Sequence, residues 1–153
     1  MPKYILHYFG VNGLAQISRA TLSYAKADWT NVVVKREDWP KVKTSGLCEY
    51  EQLPVLEVDG KKLCESKAIN LYLGETFKLM EKNPEENYQI VNLLMTFEDY
   101  TVQVYETTYC PDEVKKAELR AKAQDKIKFF LGKFEKRYVE LGKGKYFWET
   151  NSL

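Results

Sequence analysis

The stretch Gln52-Leu53-Pro54-Val55-Leu56-Glu57-Val58-Asp59-Gly60 constrains the fold more than any other part of the chain. Leu53 to Val58 reads as a short apolar strand. Its proline stands at the start, where a missing N–H does not break a ladder. Asp59-Gly60 then demands positive φ at two successive residues, the signature of a two-residue type I′ hairpin. Lys62-Leu63-Cys64 is the returning strand, and Ser66 is placed to cap a helix over Lys67 to Leu73, with Ala68, Ile69, Tyr72 and Leu73 apolar. An antiparallel hairpin followed at once by a helix needs a further layer to bury its apolar face.

The residues before it supply that layer. Tyr4 to Phe9 is rich in β-branched and aromatic residues and reads as a buried strand. Gly10-Val11-Asn12-Gly13 is a turn. Ala15, Ile17, Ser18, Leu22 and Ala25 recur near the 3.6 period, predicting a helix from Leu14 to Ala25. Asp28 to Val34, centred on three valines, is a second strand. Strand, helix and strand within about thirty residues fit a βαβ unit with a parallel pair. Joined to the hairpin and helix, it gives an α/β sandwich on a mixed sheet. Glu37 to Gly46 is polar and reads as irregular, anchored by Trp39.

Beyond Phe77 the pattern changes to all-helical. Glu81-Lys82-Asn83-Pro84-Glu85 is a polar break in which Asn83 suits an N-cap, Pro84 a first turn, and Glu85 and Glu86 the positive end of a helix dipole. A helix is predicted from Glu85 to about Thr108, and Pro111-Asp112-Glu113 opens another, from Val114 to Leu141. Its apolar face is Leu119, Ala123, Ile127, Phe130, Leu131, Phe134 and Tyr138. The organisation read from the chain is therefore an α/β domain over 1–79, a linker over 80–84, and an all-helical region over 85–153.

Charge and cysteines exclude several classes of function. The net charge is +1 with basic and acidic residues interleaved, so nothing global draws the chain to nucleic acid or an anionic membrane. No apolar run approaches the roughly 20 residues of a membrane helix. Met1-Pro2-Lys3-Tyr4 lacks the layout of a secretory signal, which favours a cytoplasmic address. Three cysteines, Cys48, Cys64 and Cys110, form no Cys-x-x-Cys pair, so neither a disulfide framework nor a zinc site is indicated. His7, the only histidine, lies in an apolar strand.

Several segments resemble one family. Tyr4-Ile5-Leu6-His7-Tyr8-Phe9, Gly13-Leu14-Ala15 and Ile17-Ser18-Arg19 are similar to the opening of a sigma-class, or closely related, glutathione transferase. Asp38-Trp39-Pro40-Lys41-Val42-Lys43, the Gln52 to Gly60 stretch, and Glu65-Ser66-Lys67-Ala68-Ile69-Asn70-Leu71-Tyr72-Leu73 resemble the same family at matching distances. Gly144-Lys145-Tyr146-Phe147 resembles a late landmark of its helical domain. The resemblance implies a thioredoxin-like glutathione-binding domain followed by a helical domain. Relatives run well beyond Leu153, so the helical domain reads as truncated, near Asn151-Ser152 where a cap for a further helix is expected.

The resemblance also implies the chemistry. A free thiol has a pKa near 8.5, and the thiolate is the nucleophile. Tyr8, at the end of the first strand, corresponds to the tyrosine whose hydroxyl stabilises the glutathione thiolate. The Leu53–Pro54 bond is expected to be cis, leaving the Leu53 backbone to pair with the extended peptide. Ser66, with Glu65 before it and Gln52 nearby, is expected to hold the γ-glutamyl end, and Trp39 and Lys43 the glycine end. Asp99 or Glu98 corresponds to an acid that reaches the glutathione amine of a partner subunit. The electrophile is expected on an apolar surface near Phe9, Tyr100 and Tyr105. Glutathione is a co-substrate and no metal or other cofactor is implied. The partners implied are glutathione, a small hydrophobic electrophile, and a second copy in a homodimer.

Three places depart from the family pattern. Leu14 stands where an arginine usually supports the tyrosine, and its side chain cannot donate. Glu65 replaces a glutamine, and Tyr50-Glu51 replaces a small residue. These departures keep a second reading open, a non-catalytic relative serving as a structural or interaction subunit of a larger assembly. A thioredoxin-type oxidoreductase is disfavoured, since no cysteine ends the first strand.

Overall fold

The computed structural model describes residues 2–81, 83–108, 110–144 and 147. The chain divides into two compact units, Met1–Met80 and Glu81–Leu153. Lys82 of the expected linker, Lys145 and Tyr146 of the late landmark, and the Asn151-Ser152 cap lie outside the described residues.

The first unit is built on a four-stranded mixed sheet, β1 (Tyr4–Phe9), β2 (Trp29–Val34), β3 (Val55–Val58) and β4 (Lys61–Cys64), in the order β2-β1-β3-β4. β1 pairs in parallel with β2 and antiparallel with β3, as a βαβ unit followed by a hairpin requires. Asp59 and Gly60 take φ of 48° and 83°, the left-handed pair the hairpin needs. The Leu53–Pro54 bond is cis.

Three helices belong to this unit: α1 (Gln16–Tyr24), α2 (Trp39–Lys43) and α3 (Ser66–Thr76). Three expectations need correction. The first helix begins as a 3₁₀ turn over Gly13–Ala15 and becomes α-helical only at Gln16. Glu37 to Gly46 is not wholly irregular, because Pro40 in the first turn, where its missing N–H costs nothing, supports the short α2. Ser66 is the first residue of α3 rather than its cap; Glu65 holds the N-cap position at φ 69°, with no side-chain cap bond.

The core follows the strand alternation. Tyr4, Leu6 and Tyr8 point to one side of β1 and are buried, with His7 on the other side 2.8 Å from Glu57. Leu6 and Leu56, opposite each other across the strands, meet Leu22 of α1 and Ile69 and Leu73 of α3 in one cluster, all five without exposed surface. Inside this apolar layer the buried Ser18 hydroxyl donates to Asn70 Oδ1 at 2.7 Å, so α1 and α3 are joined by a satisfied polar pair.

The second unit contains α4 (Pro84–Thr108) and α5 (Glu113–Glu140). Asn83 Oδ1 accepts from the Glu85 N–H at 2.9 Å, and Asp112 caps α5 by accepting from the Lys115 N–H at 3.0 Å. Phe97 and Tyr100 of α4 pack on Phe130 and Phe134 of α5 with ring centroids 6.1 to 6.5 Å apart. Arg137 ties the helices together by donating to Asn92 Oδ1 and Gln89 Oε1. Leu131 and Tyr138, expected on the apolar face, are exposed. Among the described residues, no helix is long and apolar enough to cross a membrane.

Candidate functional site

The register of the sheet decides which side chains come together. The β1–β3 pairing ends at His7 opposite Val55, so the next residues, Tyr8 and Pro54, come abreast. The β3–β4 pairing ends at Val55 opposite Cys64, so Leu53-Pro54 before β3 and Glu65-Ser66 after β4 leave the sheet at the same end. Tyr8, Leu53-Pro54 and Glu65-Ser66 therefore collect at one end of the sheet from three separate strands.

At this end the Tyr8 ring is buried, but its hydroxyl reaches the turn after β1 and accepts a hydrogen bond from the Leu14 N–H at 3.1 Å. The aliphatic side chain donates nothing, yet its main chain does, because the 3₁₀ turn over Gly13–Ala15 leaves early N–H groups without intrahelical partners. With an N–H occupying one lone pair, the phenolic proton is left to donate to another acceptor.

A second cluster lies along α2. Trp39 and Lys43 are four residues apart and so share a helix face. Trp39 packs edge-on against Phe9 with centroids 5.5 Å apart, which places α2 beside the end of β1. Lys43 Nζ lies 3.7 Å from Glu51 Oε2, both side chains about half exposed. Glu51 sits at φ 52°, its N–H bonded to the Cys48 carbonyl at 3.1 Å, so the loop before Gln52 aims its carboxylate back at α2.

Ser66 opens α3 and is buried, among the main-chain N–H groups of the first turn. The Glu65 carboxylate is exposed beside it. Gln52 is exposed and Leu53 half-buried. Asp99 and Glu98 lie on α4 of the other unit, Asp99 exposed and Glu98 half-buried. Burial first, and the neighbouring Cys48 thiol second, push the Cys64 thiol at the end of β4 up to about 11. Sequence reasoning assigned no role to three groups at this end of the sheet: the Leu14 N–H, the Glu51 carboxylate, and the Arg19 guanidinium, which lies 5.6 Å from the Tyr8 ring centroid. All three stood at positions the sequence had marked, Leu14 and Arg19 in segments that carried the resemblance and Glu51 as a departure from it, but nothing in the sequence showed what each would touch.

Similarity to known proteins runs through both units. The family model described as the glutathione S-transferase N-terminal domain matches residues 5–75. A glutathione S-transferase from Anopheles gambiae is 34% identical over 87% of this chain and 65% of its own length. Glutathione S-transferase 1 of Ascaris suum is 38% identical over 68% of this chain and 50% of its own. The solved prostaglandin synthase D of Nilaparvata lugens superposes with a TM-score of 0.83 at 33% identity, over 95% of this chain and 71% of that one. The chain spans about half to two thirds of the curated relatives it matches.

Proposed function

As the chain belongs to the glutathione S-transferase family, we propose that its first unit binds glutathione, holds the thiol as a thiolate beside Tyr8, and directs it at a small electrophile. The observation that carries this reading is the Tyr8 hydroxyl accepting from the Leu14 N–H at 3.1 Å, with its own proton left for a ligand at the sheet end. A hydrogen bond to a charged acceptor contributes about 1.5–3 kcal/mol. At 1.36 kcal/mol per pKa unit, one such bond brings a thiol from near 8.5 to about 7. The thiol proton leaves to solvent. With an aryl halide, the thiolate sulfur attacks the ring carbon, a C–S bond forms, and the halide departs with the C–halogen electron pair.

The remaining groups position the peptide. The Leu53 backbone offers an edge for the cysteinyl part, and Gln52 lies beside it. Ser66 and the first-turn N–H groups of α3 suit the γ-glutamyl carboxylate, and Glu65 suits its ammonium. Trp39 and Lys43 suit the glycine end. Asp99 serves the amine of a glutathione bound to a partner subunit in a homodimer, and the address is cytoplasmic. The second reading, a subunit kept for interaction, draws on the Lys43–Glu51 ion pair, which occupies the cation meant for the glycine carboxylate.

One experiment tests the choice: retention on immobilised glutathione, and turnover of a generic aryl halide against pH, for the wild type and Tyr8→Phe. The expected result is retention by both proteins, with the apparent pKa of the rate raised by about one to two units in Tyr8→Phe. Absence of wild-type retention sinks the enzyme reading. Retention with an unmoved pH profile in Tyr8→Phe sinks the role of Tyr8.

A further inference from the structure

Arg19 is used by none of the roles above, yet its half-buried side chain is among the most heavily engaged in the first unit. It rises from the first turns of α1 and folds back over the end of β1. Nη1 donates to the Val11 carbonyl at 2.8 Å and the Asn12 carbonyl at 3.2 Å. Nη2 donates to the Phe9 carbonyl at 3.2 Å. Nε donates to Asn31 Oδ1 of β2 at 3.1 Å. The guanidinium carbon lies 5.6 Å from the centroid of the Tyr8 ring, within cation–π range.

These contacts bracket the turn that leads from Tyr8 to Leu14. Three carbonyls, from Phe9, Val11 and Asn12, are fixed by one planar fork, and Asn31 anchors that fork to the neighbouring strand. The residue that follows this bracketed segment after Gly13 is Leu14, whose N–H meets the Tyr8 hydroxyl. Glycine at 10 and 13 leaves the turn otherwise free to move, and Gly13 sits at φ 41°. The charge has a second consequence. A cation against the ring favours an anion held at the Tyr8 hydroxyl by simple charge attraction. The leucine at position 14 supplies no such charge from its side chain.

We infer that Arg19 is the positioning residue for Tyr8: it fixes the turn that delivers the Leu14 N–H, and its charge against the Tyr8 ring favours the thiolate. This rests on the reading of Tyr8 as the thiol-activating residue. Arg19 touches no reacting atom, and its effect passes through Tyr8.

The test uses the full chain as wild type, Arg19→Gln, Arg19→Lys and Tyr8→Phe. In the ligand-free protein, amide exchange by NMR is expected to be at least about tenfold faster at Leu14 in Arg19→Gln, with Leu6 and Leu56 amides still protected. In the glutathione complex, ultraviolet titration of the bound thiolate is expected to show its pKa raised by about one unit in Arg19→Gln. kcat/KM for an aryl halide then falls about tenfold at low pH and converges on wild type at high pH, with KM for glutathione within about twofold. Arg19→Lys, which keeps the charge but not the fork, is expected to retain more of the low-pH rate than Arg19→Gln. Unchanged exchange at Leu14, a rate lowered by one factor at all pH values, or equal losses in the Lys and Gln variants overturns the inference. A wild type that binds no glutathione overturns the proposed function instead, and the exchange measurement still decides the role of Arg19 in holding the turn.

Discussion

Glu51→Gln is expected to tighten glutathione binding, against the usual direction for a change beside a binding site. Lys43 is the cation assigned to the glycine carboxylate, and Glu51 lies 3.7 Å from it. A ligand carboxylate arriving at Lys43 has to displace Glu51 or share the ammonium with it. Two unit charges about 4 Å apart in bulk water interact by about 1 kcal/mol, and exposed pairs measure about 0.2–1 kcal/mol. Both partners are about half exposed, so the lower range applies. Removing the Glu51 charge is therefore worth about 0.2–1 kcal/mol, a gain in affinity of about 1.4- to fivefold. The amide keeps the size of the side chain and the left-handed backbone at φ 52°, so the loop is not redrawn. Titration calorimetry at low and at high salt reads the effect, which shrinks as screening sets in. The glycyl ethyl ester of glutathione is the control, since it carries no charge for Lys43. No gain with glutathione, or an equal gain with the ester, refutes the competition between Glu51 and the ligand.

Two further outcomes follow from the first unit alone. Leu56→Ala removes a side chain with no exposed surface from the centre of the sheet and should cost about 2–5 kcal/mol, read as a lower urea midpoint; a loss under about 1 kcal/mol contradicts the core described. The Cys64 thiol, pushed up to about 11 by burial and by the neighbouring Cys48, should be alkylated by iodoacetamide about tenfold faster per pH unit up to that value, and a rate that levels off near pH 9 contradicts it. Because the folded value lies above that of the unfolded chain, the stability this thiol contributes is present below the ordinary thiol range and fades as pH climbs toward about 11.

The frame of the site was legible because it is written in residues with narrow backbone uses. Asp59-Gly60 names a hairpin, Pro54 marks a strand start, and Asn83-Pro84 marks a helix start, each by φ preference or a missing donor. The element order followed, while the register that leaves Tyr8, Pro54 and Glu65 at one end of the sheet emerges only from the strand pairing. Boundaries were less legible. The helix expected from Leu14 starts two residues later because its first turn winds as 3₁₀, and nothing in Gly13-Leu14-Ala15 distinguishes the two windings. α2 was missed because five residues are too few to show a helical period. The charged partners were hidden for another reason. Arg19 and Asn31 are twelve residues apart and Lys43 and Glu51 eight, and such pairs meet only after the strands and turns are set.

The departures at Leu14, Glu51 and Glu65 are unequal once the geometry is taken into account. At Leu14 the group that reaches Tyr8 belongs to the main chain, so any residue able to enter the 3₁₀ turn presents the same N–H, and the change of side chain leaves that bond intact. Much of the proposed peptide-binding surface is likewise backbone: the edge at Leu53 and the first turn of α3. A site held by main-chain groups tolerates side-chain drift as long as the turns survive, which is why Arg19, the clamp on one such turn, matters more than its distance from the ligand suggests. Glu51 and Glu65 act differently. Each adds a formal negative charge beside the proposed site for a ligand with two carboxylates and one ammonium: Glu51 competes for Lys43, 3.7 Å away, and Glu65 favours the ammonium but repels the carboxylate next to it. Affinity is thus where this chain should differ most from its relatives, and the two glutamates are where the difference is made.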